Sequence, residues 1–88
     1  MFNIVSDMSK TIEIEITEFI ANGAKQRIES ITPEDRLLED GIIDSLSLLD
    51  LVDFIERTYG IVVDEFDIDV DTFGSVRSIA GYVSAKRA

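Results

Sequence analysis

The chain contains no cysteine and no histidine. Without cysteine there can be no disulfide, no thiolate nucleophile and no sulfur-based metal site. Without histidine the usual general base and the commonest metal ligand are both missing. Proline occurs once and glycine five times in 88 residues, and the dispersed glycines match no phosphate-binding loop. Basic residues are scarce, 8 against 18 acidic ones, for a formal net charge of −10. Such a surface repels nucleic acid and anionic membranes and suits basic protein partners. No apolar run approaches the roughly 20 residues of a membrane span. Met1 to Lys10 lacks the apolar core of a secretion signal, so the expected location is the cytoplasm.

What is present is a chain that is 45% hydrophobic, globular in composition and long enough for one small domain. Met1 to Met8 reads as a flexible tail, and residues 9–85 as the domain. Ser9 to Asn22 carries two overlapping patterns. Ile12, Ile14 and Ile16 alternate with Glu13 and Glu15, as in a strand. Ile12, Ile16, Phe19 and Ile20 fall on a helical stripe. Helix is preferred, because a lone strand would find no partner elsewhere in the chain. Asn22-Gly23 supplies its stop. Gly23 to Asp44 is long for a structureless connection, and Ile28, Ile31, Leu37, Leu38, Ile42 and Ile43 would pin it over the core, with a turn of helix after Pro33.

The clearest element is a helix from Ser45 to Tyr59, with Asp44 as N-cap and Gly60 just beyond its C-terminus. Its period puts Leu48, Leu51, Val52, Ile55 and Tyr59 on the core side. Ser47, Asp50, Asp53 and Arg57 take the opposite arc, with Leu46 on that arc and Leu49 and Phe54 at its margins. Single exposed leucines need no explanation by themselves. A short helix or turn is expected near Asp64 to Asp67. A last helix, capped by Ser75, carries the stripe Val76, Ile79, Ala80 and Val83 and ends in Lys86 and Arg87. The sum is an all-α bundle of three main helices and one short helix, with a long loop between helices one and two.

Little in this chain can do chemistry. Asp67-x-Asp69-x-Asp71 resembles the opening of a calcium loop, but Thr72 and Ser78 stand where that loop needs glycine and glutamate. No metal site is expected, and no two of the carboxylates single themselves out as an acid–base pair. Ser45 is different. A serine at a helix start is usually just a cap, yet here Asp44 fills that role and leaves the Ser45 side chain to point outward. No base is at hand to activate it, so catalysis by Ser45 is not expected. The helix N-terminus with its free N–H groups favours an attached phosphate. Modification by a partner enzyme is the reading left open.

Asp40-Gly41-Ile42-Ile43-Asp44-Ser45-Leu46 resembles the phosphopantetheine attachment site of acyl carrier proteins and peptidyl carrier domains. The order of elements over residues 9–85 is similar as well. The resemblance implies that a transferase using coenzyme A esterifies Ser45 with 4′-phosphopantetheine. The arm's thiol would then carry acyl groups as thioesters, supplying the sulfur that the polypeptide lacks. Asp44 and Leu46 match positions contacted by the transferase. Leu46, Leu49, Asp50 and Asp53 would form a docking face for loading and transfer enzymes with basic surfaces. Ser47 stands where fatty-acid-synthesis carriers usually have an acid, and Asp53 and Arg57 replace an apolar residue and further acids. The segments Gly41-Ile42-Ile43-Asp44-Ser45 and Phe73-Gly74-Ser75-Val76 resemble stand-alone carriers of specialised pathways, aminoacyl and D-alanyl carriers included. A sheltered cargo would lie near Val52, Ile55, Phe66 and Ile79. The implied protein is a monomeric carrier and not an enzyme. An alternative of another class is an acidic helical adaptor with no cofactor, which would tolerate Ser45→Ala.

The charge imbalance makes one prediction at once. A chain at −10 repels itself, so added salt or divalent cations should raise its melting temperature. A melting temperature that stays flat across a salt titration would contradict this.

Overall fold

The computed structural model describes residues 4–24 and 30–87. Among them there are four α-helices and no strand: α1 (Ile4–Ala24), α2 (Ser45–Tyr59), α3 (Val70–Phe73) and α4 (Val76–Arg87). A 3₁₀ turn, Glu65–Asp67, precedes α3. No helix of the described residues is long and apolar enough to cross a membrane.

Burial settles the choice at the start of the chain. Ile12, Ile16 and Ile20 are buried on one face of α1, while Ile14, which a strand would have put beside them, is 59% exposed. Thr17 on the buried face donates its hydroxyl to the Glu13 carbonyl, 2.7 Å away, so no polar group is stranded there. The helix exceeds the expected span at both ends. Residues 4–8 of the expected tail are helical, and residues 1–3 lie outside the described residues. At the other end Gly23 does not act as a stop: the left-handed glycines are Gly41 and Gly60, and α1 runs on to Ala24.

The long connection is held to the last helix by backbone hydrogen bonds. Leu37 N–H donates to the Gly74 carbonyl at 2.8 Å, and Arg77 N–H to the Pro33 carbonyl at 3.0 Å. Arg77 also pairs with Glu34 in the loop and with Glu13 on α1 at 3.9 Å. Ile31, Leu37 and Ile43 are buried, as the spacing of apolar residues predicts; Ile28 lies outside the described residues. After Pro33 the chain makes a turn closed by Thr32 and Asp35 rather than a turn of helix. The one helix-like turn comes later, where Asp40 N–H donates to the Arg36 carbonyl and Gly41 ends the turn at φ 73°.

Val76, Ile79, Ala80 and Val83 of α4 are all fully buried, and α4 packs most extensively against α1. Ser75 caps α4, accepting from Ser78 N–H at 3.1 Å. The acidic stretch before it is structural. Asp64 caps the 3₁₀ turn and Asp69 caps α3, each accepting a backbone N–H at 2.9 Å. Asp67 accepts the Tyr82 hydroxyl at 2.8 Å. Burial, then this hydrogen bond to a carboxylate, push the Tyr82 phenol up to about 12. Tyr59 is raised likewise, by burial and by its 2.7 Å bond to Glu15.

Gly74 is the tightest point of this junction. A Cβ there would overlap the Val70 carbonyl, and the Gly74 carbonyl is the acceptor that holds Leu37. Gly74→Ala should therefore cost about 1–3 kcal/mol of stability, the usual range for forced overpacking. Denaturant unfolding of the two proteins at equal slope measures it.

Candidate functional site

The turn ending at Gly41 aims the chain toward the start of α2. Gly41 reverses it with a backbone that L-residues with side chains rarely adopt. Ile43 then buries its side chain, 5% exposed, and its N–H donates to the Leu37 carbonyl at 3.1 Å. One residue on, Asp44 is extended, at φ −108° and ψ −173°, and caps the helix. Its Oδ1 accepts Ser47 N–H at 2.8 Å, and its carbonyl accepts Leu48 N–H at 2.9 Å. The bond from Ser47 holds the Asp44 carboxyl below the usual carboxylate range.

Ser45 is thus the first residue of α2, exposed, and its hydroxyl makes no hydrogen bond among the described residues. The backbone N–H groups of Ser45 and Leu46 sit in the first turn, where a helix has no intrahelical acceptors to offer. A phosphate ester on the Ser45 oxygen would meet these donors and the positive end of the helix dipole. Exposure, an unengaged hydroxyl and a place at the helix N-terminus all fit a phosphate-linked group. The neighbouring Asp44 carboxylate accepts Ser47 N–H rather than the Ser45 hydroxyl.

The structure places the other site residues as follows. Leu46 and Leu49 are 74% and 60% exposed, with Asp50 and Asp53 exposed near them. Asp53 pairs with Arg57 at 2.8 Å, one helical turn on. Phe54 is not a marginal surface residue: its ring stacks on Phe19 of α1 with centroids 4.4 Å apart. The expected cargo cleft needs correction. Ile55 and Ile79 are fully buried, and Phe66 is 86% exposed, so Phe66 roofs no cleft over them. Flanking acidic side chains keep Phe66 on the 3₁₀ turn, whose cap at Asp64 turns the chain outward. A pocket of about 100 Å³ lies instead on the α1 flank of α2, lined by Phe19, Ile20, Gly23, Ile43, Ser47, Asp50 and Leu51. Sequence reasoning missed it. Its only sequence signal is the pair of small residues, Gly23 and Ser47, which face each other across two helices that sequence alone does not bring together. Among the described residues no three carboxylates are grouped so as to hold a metal ion.

The cap is testable by pH. Asp44 has a depressed carboxyl, so its contribution is complete above the unfolded value of 3.8 and disappears as pH falls through the lower folded value. Asp44→Ala should melt below the wild type at neutral pH, and that gap should close below pH 3.8. Asp44→Asn, which can still cap, should keep most of the stability and lose the pH dependence. Thermal melts across an acid series would check both.

No protein-family model matches the chain. Individual relatives do. The probable acyl carrier protein PigG of a Serratia species is 32% identical over 80 residues, covering 91% of this chain and 87% of that protein. An acyl carrier protein of Rickettsia bellii is 29% identical over 87 residues, 99% of this chain and 98% of its own length. Acyl carrier protein AcpXL of Mesorhizobium japonicum is 39% identical over 56 residues, although that match spans only 59% of the relative's length. With the helical bundle and the exposed serine opening α2, the near full-length match at this identity shows that the chain belongs to the acyl carrier protein family.

Proposed function

We propose that this protein carries acyl intermediates as thioesters on a 4′-phosphopantetheine arm attached to Ser45. The observation that carries the reading is the division of labour at the start of α2. Asp44 satisfies the cap, and the adjacent Ser45 hydroxyl is exposed and unengaged. The chain supplies an oxygen, an orienting helix terminus and a docking surface. The arm, when bound, supplies the thiol that forms thioesters with the cargo.

The reaction at Ser45 belongs to a phosphopantetheinyl transferase using coenzyme A. The serine oxygen forms the new bond to phosphorus, the nucleotide part of coenzyme A leaves, and the transferase takes the hydroxyl proton. The family's members are carriers rather than enzymes, and the same role is the reading proposed here. Asp44 and Leu46 flank the serine and would be touched by the transferase. Leu46, Leu49, Asp50 and Asp53 would dock loading and transfer enzymes, with the leucines making the apolar contact and the acids steering basic surfaces. Arg57, paired to Asp53 on the same face, makes that surface unlike a uniformly acidic one. This supports a carrier of a specialised pathway, and the net charge of −10, which opposes self-association, supports a monomer.

Intact mass tests the reading. Incubation with coenzyme A, magnesium and a broad-specificity transferase should add one phosphopantetheine to the wild type and none to Ser45→Ala. A folded wild type that gains no mass beside a transferase active on another carrier would favour the cofactor-free adaptor instead.

A further inference from the structure

We infer that the segment from Val62 to Val70 is a docking site for a basic amphipathic helix of a partner protein, with Phe66 as its anchor. The site is separate from the outer face of α2, and the inference does not rest on any modification of Ser45. Phe66 is 86% exposed, Val62 79% and Val70 48%, so three large apolar side chains on one short segment stand in solvent. The fold is secured without them. Ile61, Val63 and Phe73 are buried and Ile68 packs against the core, which already fixes this stretch of chain in place.

The segment holds its shape by itself. Val63 N–H donates to the Glu56 carboxylate of α2 at 2.9 Å, and Phe66 N–H to the Asp64 carboxylate at 2.9 Å. Asp67 N–H donates to the Asp64 carbonyl at 2.8 Å, Ile68 N–H to the Glu65 carbonyl at 3.2 Å and Asp69 N–H to the Asp67 carbonyl at 3.0 Å. The Tyr82 hydroxyl ties the Asp67 carboxylate to α4 at 2.8 Å. An aromatic anchor on a turn fixed this way loses little freedom when it is bound. The same bonds select the mode of recognition. The backbone donors that an added strand would pair with are already taken, so the contact is made through side chains.

Charge selects the occupant. Asp64, Glu65, Asp69 and Asp71 flank Phe66 in the chain and are all exposed, and residues 62–71 include no lysine or arginine. A second copy would bring the same acids and a net charge of −10, and anionic lipid would be repelled. A helix with an apolar stripe bordered by lysine and arginine meets both features at once. Its side chains leave holes that a knob such as Phe66 fills, and its cations meet the acids on either side. The place is distinct from the leucines near Ser45. Val63 is bonded to Glu56, which lies roughly 15 Å along the α2 axis from Leu46. A helix seated on Phe66 and an enzyme acting at Ser45 therefore need not compete.

The probe is a synthetic helical peptide with leucine along one face and lysine and arginine on the others. It is titrated into the full-length, isotope-labelled protein and followed by NMR. Resonances of Val62, Phe66 and Val70 should shift together and saturate, and the affinity should fall as salt is raised. A peptide with glutamate in place of every lysine and arginine should not bind. Phe66→Ser should weaken binding about tenfold or more, the loss expected of an aromatic anchor. Phe66 stands in solvent, so this variant should keep the wild-type melting temperature, and Phe66→Tyr should restore binding. Leu46→Ser and Leu49→Ser should leave the affinity unchanged. Shifts confined to the outer face of α2, equal binding by Phe66→Ser, or no binding of the basic peptide would overturn the inference. Phe66-dependent binding to phosphatidylcholine vesicles, or a dimer lost in Phe66→Ser, would overturn it too, because the occupant would then be lipid or a second copy.

Discussion

The hydrogen bond from Ser47 N–H to the Asp44 carboxylate is the contact on which the functional end of this molecule depends. A helix start leaves backbone donors without partners, and a serine at that position normally turns inward to satisfy one. Here the preceding residue does it, at 2.8 Å. The serine is relieved of the capping task, and its hydroxyl is left exposed. That arrangement needs the chain to reach Asp44 in an extended conformation at a fixed place. Buried Ile43, left-handed Gly41 and the bond from Leu37 to Gly74 together provide this. The site is therefore anchored through the loop to α4, far along the sequence, rather than to α2 alone.

The acidity of the chain looks like a liability for folding, and its placement shows how it is tolerated. Asp35, Asp44, Asp64 and Asp69 each accept a backbone N–H in a turn or at a helix start, and Glu56 accepts one from Val63. Glu15 and Asp67 accept tyrosine hydroxyls that cross between elements. Charge in these positions is favoured by hydrogen-bond donors and helix dipoles rather than merely endured. The remaining carboxylates can then be left on the outer face of α2 and elsewhere, where they are free to act on partners through their field.

Much of this was legible in the sequence, because local chemistry dictated it. Asp44, Gly60 and Ser75 announce helix ends by their own side chains or lack of one, and all three stand where that chemistry puts them. The stripe on α4 and the core face of α2 follow from the helical period alone. What escaped is what depends on neighbours distant in sequence. Asn22-Gly23 has the local form of a stop, yet Gly23 is not left-handed and α1 runs on to Ala24. Phe66 is apolar among acids, a composition that suggests a cleft wall, and it stands in solvent. Phe54 was placed on a margin because its partner, Phe19, belongs to another helix.

The two flanks of α2 pose different demands on one helix. A docking face must be exposed and chemically distinctive, and specificity among basic partners benefits from an element that repels the wrong ones. Arg57 within the acidic arc pairs with Asp53 and so offsets one negative charge of that face. The opposite demand falls on the flank toward α1, where small residues leave space that ordinary core packing would fill. Both features cost something locally, a weaker field on one side and fewer contacts on the other. A helix selected only for stability would carry neither. Their presence on the helix that opens with Ser45 is the physical reason to look for function along the whole length of α2 rather than at the serine alone.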